Sequence, residues 1–520
     1  MQGITKISDI TKQDAEKIIQ VQGWIEKLRK GKNTYFIDLI DSFDTSNYLQ
    51  CIVPKDLIPS FEQVNRTAFI KIEGQIKELP AKYKTNKGVE LHITKLLHHS
   101  HSKSDFDSLV PENSYSIKYH TLCLRHKNIY VLLTDLVLKS LQITSMKMDL
   151  VEVNAPLYGG TKCEGGSELY EMDHFGQTAY LTQSSQMYLE AIVPVVKKGV
   201  YCDLPSFRKE KSRTKRHLTQ FRHFELEMFG FYTFDDFLQY LTVFIKTFFE
   251  TLFDLDKDNI LKKLNRIDFI KEIINKEFLF LRHEEAINML NEQGITKSDG
   301  TKFDKYDDIP EAQERKLIDQ LNRIVFLTHF PIMTKAFYTA TDPQDKTRAL
   351  AVDIEFPHVG EIFGCSLREQ KRDRLEEKFK LFTLRDYATQ LIDHLIEYNL
   401  DTSLLTKFIF EQDCQSLKDE IIKNINILKE IKKNLVKDLN KQELVKDLEF
   451  DIPDLDKIPY QDYEWYFQLR DYGFSNTGGF GLGVERLVTW LSGGDIIDGE
   501  HNYSIHSVTT FPRTVDKLYP

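Results

Sequence analysis

This 520-residue chain has only six cysteines, and they are scattered along the sequence. None lies in a CxxC motif, and the six positions are Cys51, Cys123, Cys163, Cys202, Cys365 and Cys414. A disulfide framework needs paired cysteines, and a structural zinc site needs closely spaced thiols or histidines. Neither is predicted here, and the pattern indicates a reducing compartment.

The sequence also lacks an apolar leader and an uninterrupted apolar run. Its first twenty residues mix lysines with aspartate and glutamate, which is typical neither of a secretory signal nor of a transit peptide. The most apolar helical run begins at Phe237 but is interrupted by Lys246 and Glu250, so we expect a core helix there. We therefore expect a cytoplasmic protein without a membrane segment.

An excess of positive charge is missing as well. The chain has 69 Lys and Arg against 79 Asp and Glu, a net charge of -10. This balance argues against indiscriminate nucleic-acid binding but allows local basic patches. With 41% hydrophobic and 28% charged residues, the composition is that of a globular protein with room for two or three domains.

Residues 200–231 show the two-residue period of a β-hairpin with one charged face. Arg208 and Glu210 share one face of the first predicted strand. One face of the second predicted strand carries Phe221, His223, Glu225 and Glu227. Such a face is costly to bury unless a ligand binds there, so we interpret it as the wall of a site. A half-exposed hairpin that meets water is the alternative.

A glycine-rich stretch near the C-terminus, GGFGLGVERLVTWL (478–491), leads into an apolar helix with Arg486 in its first turns. Glycines allow a backbone to approach a nucleotide closely. An arginine offers a planar donor group for a base or a phosphate. A single glycine cluster is weak evidence, but here it accompanies the charged hairpin.

Together the two stretches resemble motifs 2 and 3 of the class II aminoacyl-tRNA synthetases, and the resemblance is closest to the asparaginyl-tRNA synthetases. It runs over nearly the whole chain. The segments that carry it are EGGSELYEMDHFGQTAYLTQSSQMYLE (164–190), SFRKEKSRTKRHL (206–218), HFELE (223–227), GEIFGCSLRE (360–369), YEWYFQLRDYG (463–473) and GLGVER (481–486). Several long motifs in the family's order are more specific than any single pattern.

The resemblance implies an α+β fold with two domains. Alternating segments between residues 20 and 97 predict a five-stranded OB-type β-barrel over residues 1–97. A hinge is expected at 98–114, followed by a class II catalytic domain built on an antiparallel sheet (115–520). The charged helical segment at about 380–456 is predicted to be an insertion.

The helix from Asn128 and the strand that ends at Pro156 resemble motif 1, the dimer interface of the family. The resemblance therefore implies a homodimer, with packing in the core of one subunit as the alternative reading.

The resemblance also implies residues that bind the amino acid. Glu164, Ser184 and Gln186 match residues that hold the substrate's ammonium group. For a side-chain amide, Arg368 is the expected donor and Glu225 the expected acceptor. Aspartate would set its carboxylate against Glu225, and that repulsion would disfavour it. Leu189 stands where the aspartyl enzymes carry a lysine that helps to neutralise a substrate carboxylate.

ATP is expected against the hairpin. Arg208 would bridge the α-phosphate and the substrate carboxylate, and Arg486 would cover the adenine and meet the γ-phosphate; both are the expected catalytic residues. The full set of expected ATP ligands is Arg208, Glu210, Arg216, His217, Leu218, Phe221, Glu361, Gly483 and Arg486. Mg2+ is expected on Glu361 and Asp353, because carboxylate oxygens suit that ion. In the barrel, Phe36 would stack on an anticodon base, with Gln50 and Arg29 beside it.

The implied activity is ATP-dependent activation of L-asparagine to asparaginyl-adenylate, with release of pyrophosphate, followed by transfer to tRNA(Asn). The alternatives are an aspartyl-tRNA synthetase, a paralogue that makes free asparagine, and a non-catalytic member that binds tRNA or protein. Four departures from the family pattern bear on activity: Arg222, Cys365, His506 and Ser507.

Overall fold

The structure is a computed structural model that describes residues 3–42, 46–80, 87–102, 128–161, 163, 169–211, 213–397, 421–429, 460–497 and 499–518. It divides into two compact units, Met1–Ile129 and Tyr130–Pro520. The predicted α+β fold class is confirmed. The predicted domain boundaries stay predictions, because most of the hinge (98–114) and of the helical insertion (380–456) lies outside the described residues.

The first unit contains a closed five-stranded barrel. Its strands are β1 (Ile18–Lys30), β2 (Thr34–Ile40), β3 (Leu49–Pro54), β4 (Phe69–Glu78) and β5 (Val89–His99). They are joined in the order β1-β2-β3-β5-β4, and β4 returns to β1 to close the barrel. Only β3 and β5 run parallel to each other in the barrel. Alternate side chains, among them Val21, Ile37 and Ile72, fill its interior and are fully buried.

The second unit is built on an eight-stranded sheet, and a smaller sheet of three strands lies in the same unit. In chain order the strands are β6 (Val151–Glu152), β7 (Tyr158–Gly159), β8 (Glu171–His174), β9 (Gln177–Leu181), β10 (Val200–Phe207), β11 (Gln220–Phe229), β12 (Leu279–Arg282), β13 (Val325–Thr328), β14 (Ala351–Phe356), β15 (Gly360–Leu367), β16 (Thr477–Gly483), β17 (Asp495–Ile497) and β18 (Glu500–Asn502). The large sheet has the order β12-β13-β14-β15-β16-β11-β10-β6. Its six central strands, β13 to β10 in that order, pair antiparallel throughout.

The described helices of the second unit are α1 (Asn128–Lys147), α2 (Gln186–Val196), α3 (Phe234–Leu255), α4 (Ile260–Lys263), α5 (Ile267–Asn275), α6 (His283–Glu292), α7 (Glu311–Leu321), α8 (Arg372–Glu397), α9 (Tyr460–Gln468), α10 (Val484–Ser492) and α11 (Ile505–Val508). Residues 421–429 are also helical. By length and composition, α1 is the one described helix that could cross a membrane, and part of it, including Leu133 and Val137, is buried.

The apolar run that begins at Phe237 forms α3. Thr233 caps this helix through a capping box with Asp236. Phe237 and Phe244 are fully buried, and the ring centroids of Phe244 and Phe480 lie 4.9 Å apart. The run is therefore a core helix, as its interrupting charges indicate, and it covers the apolar face of the sheet.

A row of apolar residues crosses the centre of that face. Leu226 on β11 pairs with Phe480 on β16, and Phe480 pairs with Cys365 on β15. All three are buried. Cys365, which replaces a glycine of the family pattern, thus belongs to the apolar row. Its larger side chain is accommodated away from the polar face of the sheet.

The opposite face of the sheet is polar, and two glycines of β16 leave room for the side chains on it. A Cβ atom on Gly479 would lie 2.1 Å from Oε2 of Glu227 and 2.1 Å from the carbonyl oxygen of Leu226. A Cβ atom on Gly481 would lie 2.3 Å from Nε2 of His223. The sequence interpretation assigned the glycines to the approach of a nucleotide. At these two positions the space is instead filled by side chains of β11.

A β-bulge aims Glu361 at the polar face. The register of β14 and β15 shifts between Ile354 and Glu355, which leaves Ile362 as the extra residue of β15. Glu361 and Arg368 are seven residues apart, so a regular strand would point them to opposite faces. The bulge turns Glu361 to the same face as Arg368, a common use of bulges beside functional sites.

We expect Gly479→Ala to destabilise the protein by about 1–3 kcal/mol, because the added methyl group meets backbone as well as the Glu227 carboxylate. Gly160→Ala is the control, since nothing lies within 4 Å of a Cβ atom there. Thermal and denaturant unfolding of the two variants measures the difference. Equal stability of the two variants would contradict the steric argument.

Candidate functional site

One cavity on the polar face gathers the residues expected to bind ATP. Its empty volume, including the open mouth, is ≈ 710 Å³. The lining residues are Arg208, Glu210, Arg216, His217, Leu218, Phe221, His223, Glu361, Ile362, Gly481, Gly483, Glu485, Arg486 and Ile505. All nine expected ATP ligands are in this set. Sequence reasoning did not assign His223, Ile362, Gly481, Glu485 or Ile505 to ATP, although His223 shares the predicted charged face.

The hairpin of β10 and β11 supplies one wall of the cavity. The predicted first strand is too long: β10 ends at Phe207, so Arg208 and Glu210 lie in the loop that follows. The Arg208 backbone N–H still donates to Thr219 across the hairpin (3.0 Å). The Arg208 guanidinium lies 5.5 Å from the centroid of the Phe221 ring. A cation and an aromatic plane are therefore held side by side at the cavity wall.

The loop between the two strands carries Arg216 and His217. The Arg216 side chain is 7% exposed and pairs with Glu311 of α7 (3.0 Å). His217 Nε2 lies 3.8 Å from Glu210, and burial lowers the pKa of His217 despite this carboxylate. The loop thus presents a cation beside an imidazole whose neutral form is favoured.

The segment around α11 also makes hydrogen bonds to this loop. The backbone N–H of Ile505 donates to the carbonyl of Lys215 (3.0 Å), and His506 Nε2 donates to the carbonyl of His217 (3.0 Å). His506 replaces an arginine of the family pattern. Its imidazole nevertheless contacts the loop that carries Arg216 and His217.

Arg486 and Glu361 form an ion pair inside the cavity. Arg486 Nη1 lies 3.2 Å from Glu361 Oε2 and donates to the Glu361 carbonyl (3.0 Å). Burial alone would raise the pKa of Glu361, but Arg486 and Lys335 hold it below its ordinary value. The carboxylate is therefore ionised at neutral pH.

Asp353 lies behind Glu361 and is paired with Lys335, a partner that the sequence did not reveal. Burial raises the pKa of Asp353 to about 6, although Lys335 opposes the shift. Burial raises the pKa of Glu314 to about 8, to which the nearby Asp353 and Glu361 add. Burial, together with the neighbouring Glu314, raises the pKa of Glu355 well above its ordinary value. Within the part of the chain that the structure describes, no three His, Cys, Asp or Glu residues form a preformed metal cluster.

The expected acceptor for the substrate amide, Glu225, is 2% exposed. It accepts hydrogen bonds from the Ser184 hydroxyl and from the Ser185 backbone N–H (2.7 Å). Burial raises its pKa, and these hydrogen bonds oppose the shift. His223 Nδ1 lies 3.6 Å from Glu225 Oε2 and also lines the cavity, so Glu225 adjoins this cavity.

The expected donor, Arg368, has a carboxylate partner that the sequence interpretation missed. Its Nε and Nη2 donate to the two oxygens of Glu227 (3.0 and 2.7 Å), and its Nη1 donates to Ser366 (2.6 Å). Arg368 and Glu227 are both buried. One feature of the sequence could have identified Glu227: it lies two residues after Glu225, on the same predicted charged face.

The residues expected to bind the ammonium group are only partly described. Glu164 lies outside the described residues. Gln186 is 5% exposed, and its backbone N–H donates to the Ser184 hydroxyl (3.2 Å). Ser184 therefore links Gln186 to Glu225. Leu189, one residue before Glu190, is fully buried.

In the barrel, Phe36 and Arg29 are opposite each other on β2 and β1. Phe36 is 37% exposed, and Arg29 lies 5.5 Å from its ring centroid. Gln50 on β3 donates to Glu90 (3.0 Å). An exposed aromatic ring with a cation nearby is suited to stacking on a base.

Comparison with known proteins agrees with this geometry. The sequence profile of the family "tRNA synthetases class II (D, K and N)" matches residues 113–400 and 426–515. The chain belongs to this family. Asparagine–tRNA ligase, cytoplasmic, of Saccharomyces cerevisiae is 34% identical to the chain over 96% of the chain and 76% of the yeast protein. Probable asparagine–tRNA ligase, cytoplasmic, of Vairimorpha ceranae is 30% identical over 99% and 96% of the two chains.

Solved structures of synthetases share the fold. Asparaginyl-tRNA synthetase from Pyrococcus horikoshii, complexed with asparaginyl-adenylate, superposes with a TM-score of 0.73 at 24% identity and covers all of both chains. The Entamoeba histolytica asparaginyl-tRNA synthetase gives a TM-score of 0.71 at 24% identity over 99% of each chain. The barrel and the large sheet of this synthetase are therefore those of its family.

We expect Glu485 to make the stability of the synthetase depend on pH. Its carboxylate accepts from the backbone N–H of Arg222 (3.0 and 3.1 Å), whose guanidinium pairs with Asp203. Burial raises the pKa of Glu485 from 4.5 to about 7. Between these values the folded protein retains a proton that the unfolded chain has released, so this group's stabilising effect is lost as the pH rises.

We expect Glu485→Gln to flatten the loss of stability between about pH 4.5 and pH 7, because glutamine still accepts from the Arg222 N–H but does not ionise. Thermal unfolding of both proteins across this range measures the effect. Parallel pH profiles would show that the Glu485 proton is not linked to folding.

Proposed function

We propose that this synthetase is a cytoplasmic asparagine–tRNA ligase. It activates L-asparagine with ATP to asparaginyl-adenylate, releases pyrophosphate and transfers the asparaginyl group to tRNA(Asn). The observation that carries the proposal is that nine expected ATP ligands line one cavity, which adjoins the buried Glu225 through His223. The names of the yeast and Vairimorpha relatives support the choice of asparagine and the compartment.

Recognition of the side-chain amide rests on Glu225 and Arg368. Two hydrogen bonds occupy two of the roughly four acceptor positions of the Glu225 carboxylate, so it retains capacity for the substrate NH2. The bidentate contact with Glu227 fixes the orientation of Arg368. Aspartate would bring a second carboxylate to Glu225, and the buried Leu189 offers no compensating charge.

The first step needs positioning and charge neutralisation rather than a protein nucleophile. Arg208 would hold the α-phosphate beside the asparagine carboxylate, which attacks phosphorus in line with the leaving pyrophosphate. Phe221 would carry the adenine on one face and Arg486 would cover the other. Arg216 and His217 would meet the γ-phosphate, and Glu210 would accept from the adenine amine.

The acidic residues of the cavity fit Mg2+ bound together with phosphates. In such sites one or two protein carboxylates complete an oxygen shell that the nucleotide and water largely provide. Glu361 lines the cavity and would be the first ligand. Asp353 would be a second ligand only by releasing Lys335. The ion would neutralise charge on the phosphate oxygens.

We also propose that the barrel binds the anticodon through Phe36, with Gln50 and Arg29 beside it, and that the protein is a homodimer. The dimer would form through α1 and the strand that leads to Pro156, the region that resembles motif 1. Exposed apolar residues of α1, Val131 and Met146, support this assignment.

The purified protein should exchange pyrophosphate into ATP when asparagine is present and not when aspartate replaces it. Exchange with aspartate would favour an aspartyl-tRNA synthetase or the paralogue that makes free asparagine. Absence of exchange with either amino acid would favour a non-catalytic protein.

Glu225→Gln should relax the discrimination against aspartate, because it removes the like charge while it keeps the shape of the side chain. The ratio of kcat/KM for asparagine and aspartate in the exchange assay measures this. Selectivity equal to that of the unmodified protein would remove Glu225 from the account of specificity.

Phe36→Ala should lower the rate of tRNA charging roughly 5- to 150-fold and leave pyrophosphate exchange unchanged, because stacking contributes about 1–3 kcal/mol per base. Ile18→Ala is the control, since Ile18 is 68% exposed on the same barrel and has no expected role. An equal loss of exchange and charging would show that Phe36 acts through the fold.

A further inference from the structure

The segment YEWYFQLRDYG (463–473) is one of those that resemble the family, and it lies outside the cavity lining. It forms most of α9 and the short turn Leu469–Asp471 that follows. Two of its side chains, Tyr466 and Arg470, reach Glu190 of α2. The Tyr466 hydroxyl donates to Glu190 Oε2 (2.5 Å), and Arg470 Nη2 donates to Oε1 (2.6 Å). The side chains of Glu190 and Arg470 are at most 1% exposed.

The third partner of Glu190 is Gln186, one of the three residues expected to hold the substrate's ammonium group. Gln186 lies one helical turn earlier on α2, and its Nε2 donates to Glu190 Oε2 (2.8 Å). Glu190 forms an ion pair with Arg470, and a carboxylate in an ion pair can only accept hydrogen bonds. Gln186 must therefore turn its NH2 group to Glu190 and its oxygen away.

The oxygen of Gln186 retains unused capacity. Its contact is with the Cys163 thiol, whose Sγ lies 3.9 Å from Oε1, and a thiol is a weak donor. An amide oxygen can accept two hydrogen bonds, and burial makes an unfilled acceptor costly. Oε1 is thus a buried acceptor that suits a strong donor such as an ammonium group.

Glu190 does not act as a counter-ion for that ammonium group. Two buried acids, Glu190 and Glu227, are matched by two buried cations, Arg470 and Arg368. The charges of these four residues, called the quartet below, therefore sum to zero. The effect of Glu190 on a ligand therefore passes through the orientation of the Gln186 amide.

We propose that Glu190, ion-paired with Arg470, is a positioning residue that fixes the Gln186 oxygen as an acceptor for the α-ammonium of the amino acid. This arrangement selects amino acids over acids that lack the amino group. The inference rests on the proposed function, in which Gln186 contacts the substrate.

The test compares asparagine with succinamic acid, which is asparagine without its α-amino group. In Glu190→Gln, residue 190 can donate as well as accept, so the Gln186 amide loses its fixed orientation. We expect the KM for asparagine to rise about 10- to 100-fold, the loss of one hydrogen bond to a charged group. The inhibition constant of succinamic acid and the KM for ATP should stay within about 3-fold.

Two further variants separate positioning from a structural role. Tyr466→Phe keeps the ion pair and Gln186, and it should change the KM for asparagine less than about 3-fold. In a Gln186→Leu background, Glu190→Gln should add nothing further, because coupled residues are not additive. A further loss in that background, or equal losses for asparagine, succinamic acid and ATP, would overturn the proposal.

Glu190→Gln leaves Arg470 buried without its partner, so this variant can fail to fold. The paired variant Glu190→Gln with Arg470→Met then replaces it, and the same selective rise in the KM for asparagine is expected. An unchanged KM in the folded paired variant would overturn the inference. Failure of the proposed function is distinguishable, since the unmodified protein would then show no exchange with asparagine.

Discussion

The second unit depends on how it accommodates the acidic groups that are buried on one face of its central sheet. An isolated buried charge is costly, so Glu227 is paired with Arg368, and Glu225 accepts hydrogen bonds from Ser184 and Ser185. Glu227 meets Arg368 across β16 only because Gly479 has no side chain in that space. Glu225 lies two residues before Glu227 on the same face of β11, so the face that carries it depends on this crossing.

The sequence predicted the elements better than it predicted the contacts. Regular alternation revealed the barrel strands and the charged face of β11, because a two-residue period is a local property. The end of β10 before Arg208 and the bulge that turns Glu361 depend on pairing with distant strands, which no local pattern encodes. The same holds for Glu227 and Lys335, whose partners lie far away in the sequence.

The ATP cavity draws on chain segments that are far apart in sequence. The resemblance of separate segments to family motifs predicted its nine expected ligands, because each of them lies in a recognisable segment. Their roles stay predictions. His506 and Cys365 looked unfavourable from sequence alone. In the fold, His506 contacts the loop that carries Arg216 and His217, and Cys365 packs in the apolar row, so neither removes a residue from the cavity.

The quartet of Glu190, Glu227, Arg368 and Arg470 has a consequence for engineering a synthetase that accepts a new amino acid. Since each member is buried against another, a library that varies one of them at a time would mostly sample misfolded proteins. Productive routes would exchange whole pairs together, so the evolvability of the pocket is set by pairs rather than by single positions.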